Sequence, residues 1–293
     1  MRDGLSLKER FGHRFAEFAR YSRAADVIDE TNVYQEANQE TRRIMNEIVG
    51  EILLPGSRLD GREHFAALRR EMQGGRRMLL LMEHYSNMDL PVLCYLLDHD
   101  GGDFGAAISR GLVAIAGMKL NEVNPMVKAW AESYTRIVIC PSRSLADGAD
   151  PEEEARGRKI NMAAMRALDA AKRRGQPVLV FPSGTRYRPG KPETKRGLRE
   201  IDSYLRSFDA MILVSMNGRC LRMSESEPDN MIADQVFPDR IIIAASPVTD
   251  CKAFRDGVAA SVAGTEGADH KQAAADRIME LLAAQHDAYE KLR

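Results

Sequence analysis

The chain has 293 residues, 44% of them hydrophobic and 29% charged, and its 42 Lys and Arg nearly balance 43 Asp and Glu for a formal net charge of −1. That length holds one large domain or two small ones with a sizeable core, and the composition is that of an ordinary globular protein. A net charge this close to zero creates no overall field for nucleic acid, so nucleic acid is not expected as a partner and any basic site must be local.

In chain order, residues 5–50 carry apolar residues at helical spacing (Phe11, Phe15 and Phe18, then Ile44 and Ile48) among many charges, which predicts two or three amphipathic helices. The stretch LPGSRLDG at 54–61 reads as a turn cluster and as the seam between an N-terminal helical region, 1–55, and the remainder, 56–293. REHFAALRREM then reads as a helix stopped by Gly74 and Gly75, and RRMLLLME as a short buried strand. A helix over 89–99 follows, then strands at FGAAIS and at TRIVIC (135–140). PEEEARGRKINMAAMRALDAAKRRG is a strong helix, with acids in its first turn, bases in its last and Gly175 as its stop. QPVLVF, AMILVS and RIIIAASPV are further strands, and a final helix spans 269–291. Strands separated by helices of this length predict an α/β fold, with a mixed, largely parallel sheet flanked by helices and a small N-terminal helical region.

The N-terminal MRDGLSLKERFGHRF alternates charged with apolar residues and lacks the apolar stretch of a secretory signal. The apolar runs fall well short of the roughly 20 residues that span a bilayer. The four cysteines (Cys94, Cys140, Cys220, Cys251) have neither C-x-x-C spacing nor a histidine at ligand spacing, so reduced thiols are expected, with no metal site. The expected location is the cytoplasm, with peripheral contact at the inner face of the membrane left open.

Two stretches carry candidate chemistry. In H-Y-S-N-M-D, residues 84–89, a strand ends near Glu83, Ser86 or Asn87 is expected to cap the next helix, and Asp89 falls in its first turn with Pro91 close behind. Such a turn folds Asp89 toward His84, and a carboxylate on one imidazole nitrogen fixes the tautomer and leaves the other free to take a proton from an alcohol. On spacing alone, a helix-dipole acid beside an ordinary loop histidine explains the pair as well. The second stretch is FPSGTRYRPGKPETKRGLRE, 181–200, where Ser183-Gly184 turns the chain after a buried strand. Arg186 and Arg188 alternate and would share one face of extended backbone, a placement that suits a dianionic phosphate. From Arg186 to Arg199 six basic residues face one acid, Glu193, a run that a solvated loop would also explain. CPSRS, 140–144, adds Arg143 after another strand, which reads equally as a third phosphate ligand or as a surface charge. Both main stretches fall at strand ends, where α/β sheets collect ligands.

EHYSNMDLPVL, followed about a hundred residues later by VFPSGTRYRPG, resembles the glycerolipid acyltransferases, the superfamily of glycerol-3-phosphate and lysophosphatidate acyltransferases. The family's first block is a histidine, four residues and an aspartate. PSGTRYRP is closer to the P-S-G-G-R-D-R-P of the soluble plastid-type glycerol-3-phosphate enzymes than to the F-P-E-G-T-R of the lysophosphatidate branch. The resemblance spans roughly residues 45–293. It implies that His84 is the catalytic base, that Asp89 orients it, and that Arg186, Arg188 and Arg143 bind the substrate phosphate. Ser144 stands where the plastid enzymes have a histidine. The resemblance further implies acyl transfer from an acyl carrier protein or coenzyme A thioester to glycerol 3-phosphate, with no metal or organic cofactor. Acylation of lysophosphatidate, hydrolysis of the same thioesters, and a non-catalytic module for phospholipid headgroups are the alternatives. Arg69-Arg70, Arg76-Arg77 and Arg173-Arg174 are candidate docking points for an acidic carrier protein, or plain solvated helix ends.

Overall fold

Apolar runs with no polar alternation must be covered on both faces, and such runs form the middle strands of one large sheet in the structure, a computed structural model that describes residues 4–118, 125–141, 150–265 and 267–293. The strands are β1 (Leu5–Ser6), β2 (Tyr34–Gln35), β3 (Arg58–Asp60), β4 (Met78–Met82), β5 (Val113–Gly117) and β6 (Arg136–Ile139). They continue as β7 (Val178–Val180), β8 (Ala210–Asn217), β9 (Leu221–Arg222), β10 (Gln235–Val236), β11 (Ile242–Ala245) and β12 (Thr249–Asp250).

The large sheet has the order β2-β6-β5-β7-β4-β8-β11-β3, with β12 also paired to β8. From β6 to β8 every neighbour is parallel. Strand β2 closes one edge antiparallel, while β11 runs antiparallel to β8 and carries β3 parallel to itself at the other edge. A small antiparallel sheet, β1-β10-β9, sits apart. This is the mixed, largely parallel architecture expected from the alternation of elements.

The pleat of β4 divides the core. Met78, Leu80 and Met82 enter one apolar cluster with Ile44, Ile48, Phe65, Leu68, Val92 and Ile108 from helices Gln39–Ile52, Arg62–Gln73, Asp89–Asp100 and Gly102–Gly111. Leu79 and Leu81 enter the other with Ala164, Ile201, Leu205, Ala274, Ile278 and Leu282 from helices Pro151–Arg173, Ile201–Ser207 and His270–Glu290. The N-terminal helices Leu7–Phe11 and Phe15–Tyr21 bury Leu7, Phe11 and Phe18 in the first cluster. Among the described residues no helix is long and apolar enough to cross a membrane.

Two expectations need correction. Within LPGSRLDG the chain extends as β3, because Leu59 is buried and Arg58–Asp60 pair with β11, so a sheet edge lies where a turn alone was expected. FGAAIS is helical, part of Gly102–Gly111, and the strand comes later as Val113–Gly117. Phe104 and Ile108 are four apart and lie on one helical face, a spacing that a six-residue window hides. The helix also crosses its predecessor closely: a Cβ on Gly105 would lie 2.1 Å from the Leu97 carbonyl oxygen. Gly105→Ala should therefore destabilise the fold by about 1–3 kcal/mol through overpacking, read as a lower urea midpoint. An unchanged midpoint would show that the two helices can separate freely.

Candidate active site

Parallel pairing places the carboxyl ends of β7, β4 and β8 side by side: Leu81 is opposite Val180, and Met82 is opposite Val214. Two turns leave the sheet there. After β4, the Glu83 amide still bonds the Val214 carbonyl at 3.1 Å, and the chain then bends back on itself to begin the helix Asp89–Asp100. The expected cap is different in detail. The residue before the helix is Met88, without a side-chain cap, and Ser86 Oγ accepts from the Met88 amide (3.1 Å) while donating to Asp89 Oδ1 (2.8 Å).

Asp89 is fully buried and organises this turn. Its Oδ2 accepts from the Tyr85 amide at 2.6 Å and the Ser86 amide at 2.9 Å, and lies 2.9 Å from His84 Nδ1. Burial of an unpaired carboxylate would be costly, and these donors, together with the adjacent helix N-terminus, compensate it. The carboxylate holds the tautomer with hydrogen on Nδ1 and aims the ring. Phe181, at the end of β7, stacks on the imidazole with centroids 3.9 Å apart and planes inclined by 16°. Among the described residues no hydrogen bond engages His84 Nε2, which leaves that nitrogen able to accept a proton.

The second turn is locked to the first. Gly184 takes a positive φ of 61° at the bend, and the Tyr187 amide donates to the His84 carbonyl at 2.8 Å. Arg186 and Arg188 both lean toward the segment before β10. Arg186 is 8% exposed, and its Nη1 lies 2.5 Å from Oδ2 of Asp234, itself fully buried. Burial raises the Asp234 carboxyl above its ordinary range, against the pull of Arg186. Arg188 Nη2 reaches the exposed Asp229 at 3.1 Å. Arg143 lies outside the described residues. His84, Asp89, Arg186 and Arg188 thus come from two turns joined by one backbone hydrogen bond.

Several neighbours escaped the sequence reading. Glu83 is 7% exposed, and its carboxylate accepts from Tyr85 Oη (2.8 Å) and the Met216 amide (3.0 Å), with His286 Nδ1 at 2.9 Å. Burial, and then the charge of Glu83, drive the Tyr85 phenol well above its ordinary value. An acid closing a wholly apolar strand was the signal that marked Glu83; His286, 203 residues later, carried none. Tyr85 and Tyr187 meet edge to face at 6.1 Å, with Lys195 and Arg219 lying against both rings.

The paired arginines proposed for carrier-protein docking sit elsewhere. Arg76-Arg77 precede β4 and Arg173-Arg174 precede β7, at the amino ends of the two strands whose carboxyl ends carry the two turns. Arg76 pairs with Glu71 and Asp250, and Arg77 with Asp209. A cavity of about 930 Å³ opens at the same amino end, lined by Arg42, Asn46, Asp98, Arg110 and Gln176 among others, and no residue of either turn reaches it.

A family model described as Acyltransferase matches residues 57–213, more than half of the chain and a span that contains both turns. A search of curated proteins finds no match.

The Glu83–His286 contact ties the C-terminal helix to the turn and makes stability depend on pH. Although burial opposes the charge on His286, the Glu83 hydrogen bond and the charges of Glu83 and Glu290 raise its pKa above 6.5. A histidine raised on folding adds stability that is complete below its unfolded value and is lost as pH rises through the folded one. Urea unfolding from pH 6 to 8 should show this loss in the parent, and His286→Gln should flatten it. An equal slope in both would remove His286 as the source.

Proposed function

The chain belongs to the acyltransferase family, within the glycerolipid acyltransferase superfamily, and from that premise we propose that it moves a fatty acyl group from a thioester to the sn-1 hydroxyl of glycerol 3-phosphate. The observation that supports this reading best is the His84 imidazole, held at Nδ1 by the buried Asp89 and, among the described residues, unengaged at Nε2.

In this mechanism the acceptor hydroxyl is placed beside Nε2. As its oxygen attacks the thioester carbonyl, the proton passes to Nε2, and Asp89 stabilises the imidazolium that forms. Collapse of the tetrahedral intermediate breaks the carbon–sulfur bond, and the departing thiolate takes the proton back from His84. The substrate alcohol is itself the nucleophile, so the scheme requires no serine or cysteine of the enzyme and no metal or organic cofactor. General-base help is worth about 10²–10⁴-fold in such a step, and positioning can supply roughly 7–11 kcal/mol at its limit. The phosphate is assigned to Arg186, Arg188 and Arg143, which makes positioning depend on the second turn. P-S-G-T-R-Y-R-P, with Ser183 in place of the lysophosphatidate branch's glutamate, favours glycerol 3-phosphate as acceptor. The donor is a carrier-protein or coenzyme A thioester.

Thiol release measured with glycerol 3-phosphate and with lysophosphatidate, each with both donor types, tests the substrate assignment. Release that requires glycerol 3-phosphate is expected; release without any acceptor would instead indicate a thioesterase. His84→Ala should lower kcat by at least about 10²-fold in a protein that circular dichroism shows to be folded, and normal turnover would rule out the mechanism. Arg188→Ala should raise KM for the phosphorylated acceptor. Arg186→Ala should do the same and also destabilise the fold by about 3–5 kcal/mol, because Asp234 is left buried without its partner. A KM increase confined to the acyl donor would refute the phosphate assignment.

A further inference from the structure

Arg186 shares its charge with a fully buried carboxylate, and Arg188 shares its own with Asp229. A dianion arriving at the second turn would compete with both acids. Two other cations lie at the same rim, against aromatic rings. Lys195 Nζ lies 4.6 Å from the ring centre of Tyr187 and 5.6 Å from that of Tyr85. Arg219 Cζ lies 4.9 Å from Tyr85 and 5.8 Å from Tyr187. Neither has an ion-pair partner among the described residues, and both are exposed to solvent.

Their placement follows from the fold. Tyr85 directly follows His84, and the Tyr187 amide is bonded to the His84 carbonyl at 2.8 Å, so both rings are fixed to the His84 turn. Lys195 arrives on the short helix Pro192–Lys195 and Arg219 from the turn after β8. Contact with an aromatic face restricts a long cation without neutralising it, because the ring offers a quadrupole and no acceptor oxygen. The result is two cations, one a bidentate donor, converging on one tyrosine pair and already confined before a ligand binds.

We propose that Lys195 and Arg219 join the arginines of the second turn in one phosphate-binding subsite at the rim of the His84 turn, where they hold the phosphate ester of a substrate. The proposal rests on the acyl-transfer reading for the substrate's identity. The rim position next to the base favours the acceptor's phosphate; the phosphates of a coenzyme A donor share the same chemistry and are separated by the test.

The test uses the full chain and the size-matched variants Lys195→Gln and Arg219→Gln, with Lys195→Arg as the charge-preserving control. Circular dichroism confirms folding. Each neutral variant should raise KM for glycerol 3-phosphate about tenfold with little change in kcat, and Lys195→Arg should restore it. If KM instead rises for acyl-coenzyme A but not for the phosphate-free acyl-N-acetylcysteamine, the subsite serves the donor. Unchanged KM values for acceptor and donor alike overturn the proposal. Calorimetric titration with glycerol 3-phosphate separates this outcome from failure of the functional reading. Weaker binding in the Gln variants of an enzyme that does not acylate glycerol 3-phosphate would sink that reading and keep the subsite. Turnover of glycerol 3-phosphate with binding unchanged in those variants would do the reverse.

Discussion

Strand β4 is hydrogen-bonded to β7 along one edge and to β8 along the other, both parallel, and all five of its side chains are buried. A strand held on both edges and covered on both faces cannot slide, since a one-residue slip would exchange the occupants of the two apolar layers. Its carboxyl end is therefore a fixed point. From it the chain emerges as Glu83, His84 and Tyr85, beside the ends of β7 and β8, and every element of the site is referenced to that position. Phe181 stacks on His84 because β7 ends next to β4, and Met216 bonds Glu83 because β8 continues past it.

Three buried carboxylates mark where polar function is built into an apolar sheet end, and each is satisfied differently. Asp89 accepts from two backbone amides and a hydroxyl, and aims a histidine. Glu83 joins a phenol, an amide and the C-terminal helix. Asp234 neutralises Arg186 and ties the second turn to the segment before β10. A buried charge is retained only where such partners exist, so each acid enforces a local geometry. Asp89 holds the His84 imidazole directly, whereas Glu83 holds the turn that carries it. The charge of Arg186 is already matched, whereas Lys195 and Arg219, against Tyr85 and Tyr187, have no ion-pair partner among the described residues.

Periodicity made most of the layered α/β fold legible. MLLLM, PVLV and AMILVS are continuous apolar runs, and runs of that length between helices leave few arrangements besides a covered parallel sheet. It failed where a short window fits two periods. FGAAIS packs as a helix because Gly101 and Gly105 let it lie against the Asp89–Asp100 helix, a contact that the local residues do not encode. Arg58–Asp60 became a strand because β11 offered an unpaired edge 184 residues away.

The site divides along the same line. The spacing of His84 and Asp89 in a strand-to-helix turn is local, so the chain's own order determines that an imidazole and a carboxylate can meet. The alternation of Arg186 and Arg188 likewise sets where each can point. The partners these groups acquire come from across the sheet. Asp234 for Arg186, His286 for Glu83, and Lys195 with Arg219 around Tyr85 and Tyr187 are brought in by strand order and helix packing. Backbone geometry over a few residues is a property of sequence. Which charges are neutralised and which remain free depends on tertiary structure, because electrostatic pairing acts through space and is indifferent to distance along the chain.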